Sequence, residues 1–561
     1  MNTFSVVGKG WGLRKVICLL VVLLAGLLAG PGCDGTERSP AGKAPAASPD
    51  YGPPVDGGRL VQASLGEPMN LIPPLATDAG SHAIADHIYV APLKYDKNIK
   101  LVPWAAESFE VLEDGRLLRF RLRPGIRWWD GVELTAKDME FTYKLMVDPN
   151  TPTAYAEDFL AVKEFKVTGR YSFEVRYDKP FARALVTWAQ SILPEHILAG
   201  QDLMNTPYSR KPVGCGAYKL KEWEPGSRLV LTANDDYFAG RPHIDELVIR
   251  IIPDQSTQFL ELKAGNLDEM GLSPYQYLFE TSGPEWEKNF RKYEYLSFGY
   301  TYLGWNLDNP LFADRRVRQA LDCAIDKEEI VSGVLAGLGV PAVGPYKPGT
   351  WFYNDAIKPR PYGPERARTL LAEAGWRDTD GDGLLDKDGR PFAFTILTNQ
   401  GNTQRIQAAT IVQRRLRDVG VAVKIRTVEW AAFIKEFVDK GRFDAVILGW
   451  NILQDPDIYD VWHSSKAVAG GLNFVHYRNP ELDALLEEGR VTLDQKRRTA
   501  IYRRIQEIFH EDQPYCFLYI PMSLPILQAR IQGVEPAPAG IDHNFYQWWI
   551  PRQLQRPVLQ Q

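Results

Sequence analysis

From Arg315 onward, strands and helices alternate along the chain, and that order restricts the fold more than any other feature. Helical periodicity over Arg315–Ala324, Glu365–Ala374 and Thr403–Val419 is interleaved with strand-like runs at Phe392–Leu397, Ala422–Thr427 and Asp444–Leu448. Pro480–Arg490, Gln495–His510 and the apolar run Cys516–Ile520 continue the theme. Strands separated by helices need crossover connections, so this half predicts a partly parallel α/β lobe. The first half is richer in hairpins. A strand at Leu60–Leu65 precedes a helical pattern at Ala83–Ala91, and an alternating segment turns at Asp114-Gly115. A second turn, Asp130-Gly131, follows Trp128-Trp129, and Thr135 with Asp138 marks a helix start before Ala136–Val147. A strand pair around Phe165–Tyr177 and a sheet-rich segment from Gly214, turning at Glu224-Pro-Gly226, complete that half.

The N-terminus carries an address. Lys9, Arg14 and Lys15 precede the apolar run Val16–Gly30, which ends in small residues just before Cys33. Such a layout is that of a secretory signal peptide, and the run is shorter than the ~20 residues needed to span a bilayer core. Residues 1–32 are therefore expected to be removed. Leu-Leu-Ala-Gly-Pro-Gly before Cys33 resembles the lipobox of bacterial lipoproteins, departing from it at Gly30 and Pro31, and implies lipidation at Cys33. Asp34 resembles the inner-membrane retention signal of enterobacterial lipoproteins. Residues 33–53, rich in Pro, Ala, Ser and Gly, read as a flexible linker.

The remaining roughly 500 residues exceed one domain and predict two or three lobes. A net charge of −5 with no basic run argues against a nucleic-acid surface. Outside the signal and Cys33, Cys215, Cys323 and Cys516 sit in apolar or tight patterns and are expected to be buried free thiols. No G-x-S-x-G, H-E-x-x-H or C-x-x-C occurs, so no enzyme is indicated, although an exported hydrolase is the rival class. Asp378-Thr-Asp-Gly-Asp-Gly383 with Asp386 is like a calcium loop, but Gly389 stands where a bidentate Glu belongs. His82 and His87 are poorly spaced for one helix face, and His476 reads as a satisfied sheet residue. Neither metal nor cofactor is expected.

Six blocks in order then carry a resemblance. They are Leu118–Gly131 with Leu134–Asp138; Pro212-Val-Gly-Cys-Gly-Ala-Tyr218; Asn234-Asp-Asp-Tyr237; Val317–Leu321 with Ala324–Lys327; Leu370–Trp376; and Phe443-Asp-Ala445 with Gly449-Trp450. Over about Gly58–Trp549 the chain resembles the family 5 extracellular solute-binding proteins, which include oligopeptide- and dipeptide-binding lipoproteins of ABC importers. The resemblance implies an α/β, two-lobed periplasmic-binding-protein fold (type II, three-subdomain form) with a hinge and an inserted β-rich subdomain. Lobe I would comprise 54–88, 205–299 and 532–561, the inserted subdomain 89–204, and lobe II 304–531. The implied ligand is a small peptide or peptide-like solute, and the implied partner an ABC permease and ATPase complex. The protein would be a lipid-anchored monomer on the periplasmic side of the cell membrane. A metal chelate or haem as ligand, or a sensing role without transport, is the alternative.

By motif, Trp430 of Glu-Trp and Trp450 of Gly-Trp would line the cleft, with Tyr155 from the inserted subdomain and Asp78, Ala79, Gly80 and Ser81 after the first strand. Peptide-binding members place an Asp three residues beyond the Trp of Gly-Trp, where it pairs with the ligand ammonium. Here that position is Leu453. Either Asp455 takes over after a loop shift, or no ammonium is recognised there.

Overall fold

The computed structural model describes residues 51–451 and 454–558. Two seven-stranded sheets organise the chain. In the first, Arg59–Ser64 lies parallel to Glu246–Ile251 and Glu269–Gly271, flanked by the antiparallel strands Arg228–Ala233 and Tyr218–Glu224 on one side and by Pro525–Gln528 and Phe290–Lys292 on the other. In the second, Ala393–Asn399 is parallel to both Ala422–Val428 and Ala445–Asn451, and Gly299–Trp305 and Tyr515–Ser523 extend it antiparallel. Both sheets are thus mixed, with the parallel strands joined by helices as the interleaved pattern requires.

The chain passes from the first sheet to the second between Lys292 and Tyr295 and returns between Ser523 and Pro525. Pro525–Gln528 hydrogen-bonds to Glu269–Gly271, so the return crossing lies ahead of Ile531. Two short extended crossings are the place where one sheet turns against the other at least cost.

An antiparallel sheet of Ala106–Leu112, Leu117–Leu122, Ser172–Tyr177 and Val162–Gly169 is inserted after the first helix. Phe120 stacks on Phe173 at 4.9 Å, Phe165 on Phe173 at 5.1 Å, and Trp188 closes the group. This aromatic core is continuous with Leu60 and Tyr218 of the first sheet and with Ile88 and Trp548 packed on it. Close-packed continuity makes the insertion and the first sheet one body. The second sheet has separate cores on its two faces, one around Leu321, Ala408 and Ile447, the other around Tyr302, Trp462 and Phe509.

The helix start at Thr135 is as the sequence predicts: Thr135 N donates to Asp138 Oδ2 at 2.8 Å in a capping box, and the helix covers Ala136–Val147. Two expectations are corrected. The first helix is Ala79–Ile88, not Ala83–Ala91, because Asp78 caps it and the turn through Gly80 is helical. His476 is not in a strand; it sits at φ 59° in a turn, with Nδ1 against Asp308. Cys215, Cys323 and Cys516 are buried and unpaired.

Candidate functional site

In open α/β sheets ligands bind beyond the carboxyl ends of the parallel strands. Here those ends, from both sheets, face one another. Gly66, just past Arg59–Ser64, lies against Trp430, just past Ala422–Val428: a Cβ on Gly66 would be 2.8 Å from the indole. Gly401, past Ala393–Asn399, has φ +81° and presses on the Pro253 carbonyl of the first sheet, leaving no room for a side chain. Met69 reaches from the first lobe into the apolar cluster that holds Trp430, Trp450 and Trp351. The lobes are closed.

Three carboxylates, Asp86, Glu269 and Asp542, are desolvated by the protein around them. Asp86 is open to solvent, yet desolvation by the surrounding protein pushes its carboxyl up to about 6. Asp542 is likewise exposed with its pKa raised by burial, and Glu269 is pushed up to about 8 by burial and by the Asp542 charge, opposed by the Gln62 amide 2.5 Å away. Desolvation disfavours the charged form of a carboxyl, which is why all three are raised. Among the described residues none of these three carboxylates has an ion-pair partner.

In the second lobe, Arg405 stands in the first turn of Thr403–Arg417, three residues past the cap Asn402. A cation at the positive end of a helix is unfavourable. One guanidinium nitrogen donates to Asn399 Oδ1 at 2.8 Å, and another lies against Gly449, beside Trp450. Burial lowers its pKa, and no carboxylate among the described residues pairs with it. Sequence reading missed Arg405; the signal available was a basic residue in the first turn of a helix that follows a parallel strand.

The residues expected from sequence fall into three groups. Trp430 and Trp450 are both half-buried at the strand ends, Trp450 stacking on Phe474 at 5.7 Å and donating its Nε1–H to Tyr515 Oη at 3.3 Å. Tyr155 meets the first helix: its hydroxyl is 3.3 Å from His82 Nε2, which is also 3.0 Å from Ala76 O. A carbonyl only accepts, so His82 Nε2 carries a proton, and burial lowers the imidazole pKa and favours its neutral form. Asp439 of the second lobe is close enough to feel the Asp78 charge; burial and that charge raise it to about 6.

Asp78 and Ser81 are buried and structural. Asp78 Oδ1 accepts from Ser81 N at 2.9 Å, Ser81 Oγ donates to Asp78 Oδ2 at 2.5 Å, and Met69 N donates to Ser81 Oγ at 2.8 Å. This pins the loop before the helix and leaves the N–H groups of Ala79 and Gly80, the first two helical positions, for an outside acceptor.

Asp455 is already paired. Both its oxygens receive Arg498, at 3.0 to 3.2 Å, in a largely buried fork. Leu453 and Cys33 lie outside the described residues. Asp378, Asp380 and Asp382 cluster on the surface with their oxygens within 4.8 Å of one another. They cap their own turn, Asp378 accepting from Gly381 N and Gly383 N. His82 and His87 point apart, His87 packing on Phe545 at 4.8 Å.

The family model of the bacterial extracellular solute-binding proteins, family 5 Middle, matches residues 100–470. The chain belongs to this family. The oligopeptide-binding protein AppA of Bacillus subtilis is 35% identical over 549 residues, covering 96% of this chain and 99% of its own length. Heme-binding protein A of Haemophilus influenzae is 26% identical over 512 residues, 87% of this chain and 91% of its own. The solved AppA structure, in complex with a nonapeptide, matches with a TM-score of 0.85 at 36% identity, covering 89% of this chain and 100% of that one. Family membership fixes the α/β periplasmic-binding-protein architecture and an extracellular or periplasmic place of action. These relatives are solute-binding proteins, not enzymes.

Proposed function

We propose that this chain is the solute-binding subunit of an ABC importer, capturing small peptides or peptide-like solutes between its lobes and presenting the closed complex to a membrane permease. The observation that carries this reading is Arg405, an unpaired guanidinium half-buried beside Trp450 at the strand ends that face the first lobe. An uncompensated charge of this kind is costly unless a ligand carboxylate joins it. The oligopeptide-binding relative at 35% identity supports a peptide as the source of that carboxylate.

The ligand's ammonium and basic side chains are met by Asp86, Glu269 and Asp542 rather than by Asp455, whose charge Arg498 takes up. Trp430, Trp450 and Tyr155 wall the cleft, and the Ala79 and Gly80 amides meet a ligand carbonyl. Residues 54–88, 205–292 and 525–558 form lobe I, 89–204 its insertion and 295–523 lobe II, with the crossings as hinge. The signal at 1–32 exports the chain, and lipid on Cys33 moors it as a monomer through the linker 33–53. Tethering raises its effective concentration beside the permease.

Calorimetry with a nonapeptide, a tetrapeptide, nickel–histidine and haem separates the ligand classes. Binding of the peptides with a negative heat-capacity change supports the proposal. Binding of the nickel complex or haem alone overturns the peptide reading; a related chain, NikZ from Campylobacter jejuni, is solved in complex with Ni(L-His) at 26% identity and a TM-score of 0.79, covering 88% of this chain and 99% of that one.

A further inference from the structure

Four buried charges meet across the lobe boundary. In the inserted subdomain, Arg183 Nε pairs with Asp158 Oδ2 at 3.0 Å. In the second lobe, Arg490 Nε pairs with Asp457 Oδ2 at 3.0 Å. Closure sets these two pairs head to tail. Arg183 Nη1 then lies 3.6 Å from Asp457 Oδ2 and donates to the Asp457 carbonyl at 3.4 Å, while Arg490 Nη2 pairs with Asp158 Oδ1. All four residues are between 2 and 9% exposed. The Arg490 guanidinium slides between Phe181 of the subdomain, 5.2 Å away, and Tyr459 of its own lobe, 4.4 Å away. A main-chain bond, Ala182 N to Arg490 O at 2.7 Å, and an outer ion pair, Lys466 to Glu157 at 2.8 Å, cross at the same place.

The arrangement differs from an ordinary buried salt bridge in what happens when it opens. Separating a lone buried pair strands two charges, which is costly and slow to reverse. Here each lobe keeps its own neutral Arg–Asp pair when the lobes part, and closing adds the two cross-boundary contacts between groups that are already partnered. Desolvation on closing is therefore that of two neutral pairs rather than four separate ions.

We propose that this four-charge ring is a latch that favours the closed form by contacts made only when the lobes meet, before and independently of any solute. The inference rests on the reading that the lobes open and close on a ligand, but not on the ligand's identity. It makes the affinity for every solute depend on residues that touch none of them, because a ligand needing the closed form binds more weakly as that form is depleted.

The test is single-molecule energy transfer on the ligand-free full chain, labelled through Glu222→Cys in the first sheet and Lys424→Cys in the second; both positions are exposed and the native thiols at 215, 323 and 516 are buried. The double variant Asp158→Arg/Arg183→Asp keeps the subdomain's own pair but sets like charges against Asp457 and Arg490. With its melting temperature checked, it should lower the closed-to-open ratio on the order of tenfold or more, as close charge pairs across interfaces do. Glu157→Gln, at a partly exposed position that folding tolerates, should lower the ratio in the same direction by a smaller factor. No closed population in the unaltered ligand-free chain, or an unchanged ratio in Glu157→Gln or in the folded double variant, would overturn the latch. None of these outcomes bears on whether peptides bind, so failure of the latch leaves the proposed function standing.

Discussion

Gly66 faces Trp430 across the lobe boundary so closely that a Cβ would lie 2.8 Å from the indole. A side chain there obstructs closure without entering either core. Gly66→Val should therefore weaken peptide binding by about tenfold, the equivalent of the ~1–3 kcal/mol that overpacking costs. Calorimetry on the variant reads the loss, and the ligand-free melting temperature should stay within a few degrees.

Arg405→Met removes the unpaired guanidinium while keeping the length of the side chain. Charge-assisted hydrogen bonds contribute about 1.5–3 kcal/mol, so affinity for a peptide with a free carboxylate should fall ten- to hundredfold. The same peptide with an amidated C-terminus should bind both forms equally weakly. Equal losses for both peptides would show that Arg405 acts on the shape of the cleft instead.

Raised carboxyl pKa values make stability depend on pH in a defined direction. Glu269 is pushed up to about 8 and Asp86 to about 6, mainly by burial. Between the usual carboxylate range and those values, the folded chain holds protons that the unfolded chain has lost, so stability decreases as pH rises through that window. The ligand-free melting temperature should fall between about pH 6.5 and 8, above the range in which the half-buried imidazoles of His82 and His87, with lowered pKa, act in the opposite sense. Glu269→Gln should flatten the upper part of that slope, and an unchanged slope would remove Glu269 from the account.

Two acyl chains hold a protein to a membrane where one does not. Cys33→Ala should transfer the protein from the membrane fraction to the soluble fraction, as fractionation and immunoblotting would show. An unchanged distribution would mean that Cys33 carries no anchor.

Local rules made much of the architecture legible. The Thr135 and Asp138 pair announces its own helix, and the interleaved pattern beyond Arg315 foretells the parallel strands around Ala393–Asn399. Where a choice depended on distant partners, the sequence was silent. The early start of the first helix follows from Asp78 gripping Ser81, whose hydroxyl also holds Met69. The placement of Pro525–Gln528 in the first sheet depends on Glu269–Gly271, far away in the chain. Site chemistry divides in the same way. The tryptophans were visible through motifs, whereas the pairing of Asp455 with Arg498 and the isolation of Arg405 are properties of the folded chain.

The central claim is that the closed lobes enclose a peptide-like solute. Native mass spectrometry of the protein purified without refolding from its own cells, followed by fragmentation of whatever is released, tests it most directly. The account predicts a mixture of short peptides with free carboxyl termini. Recovery of sugars only, or turnover of any bound compound, would contradict it.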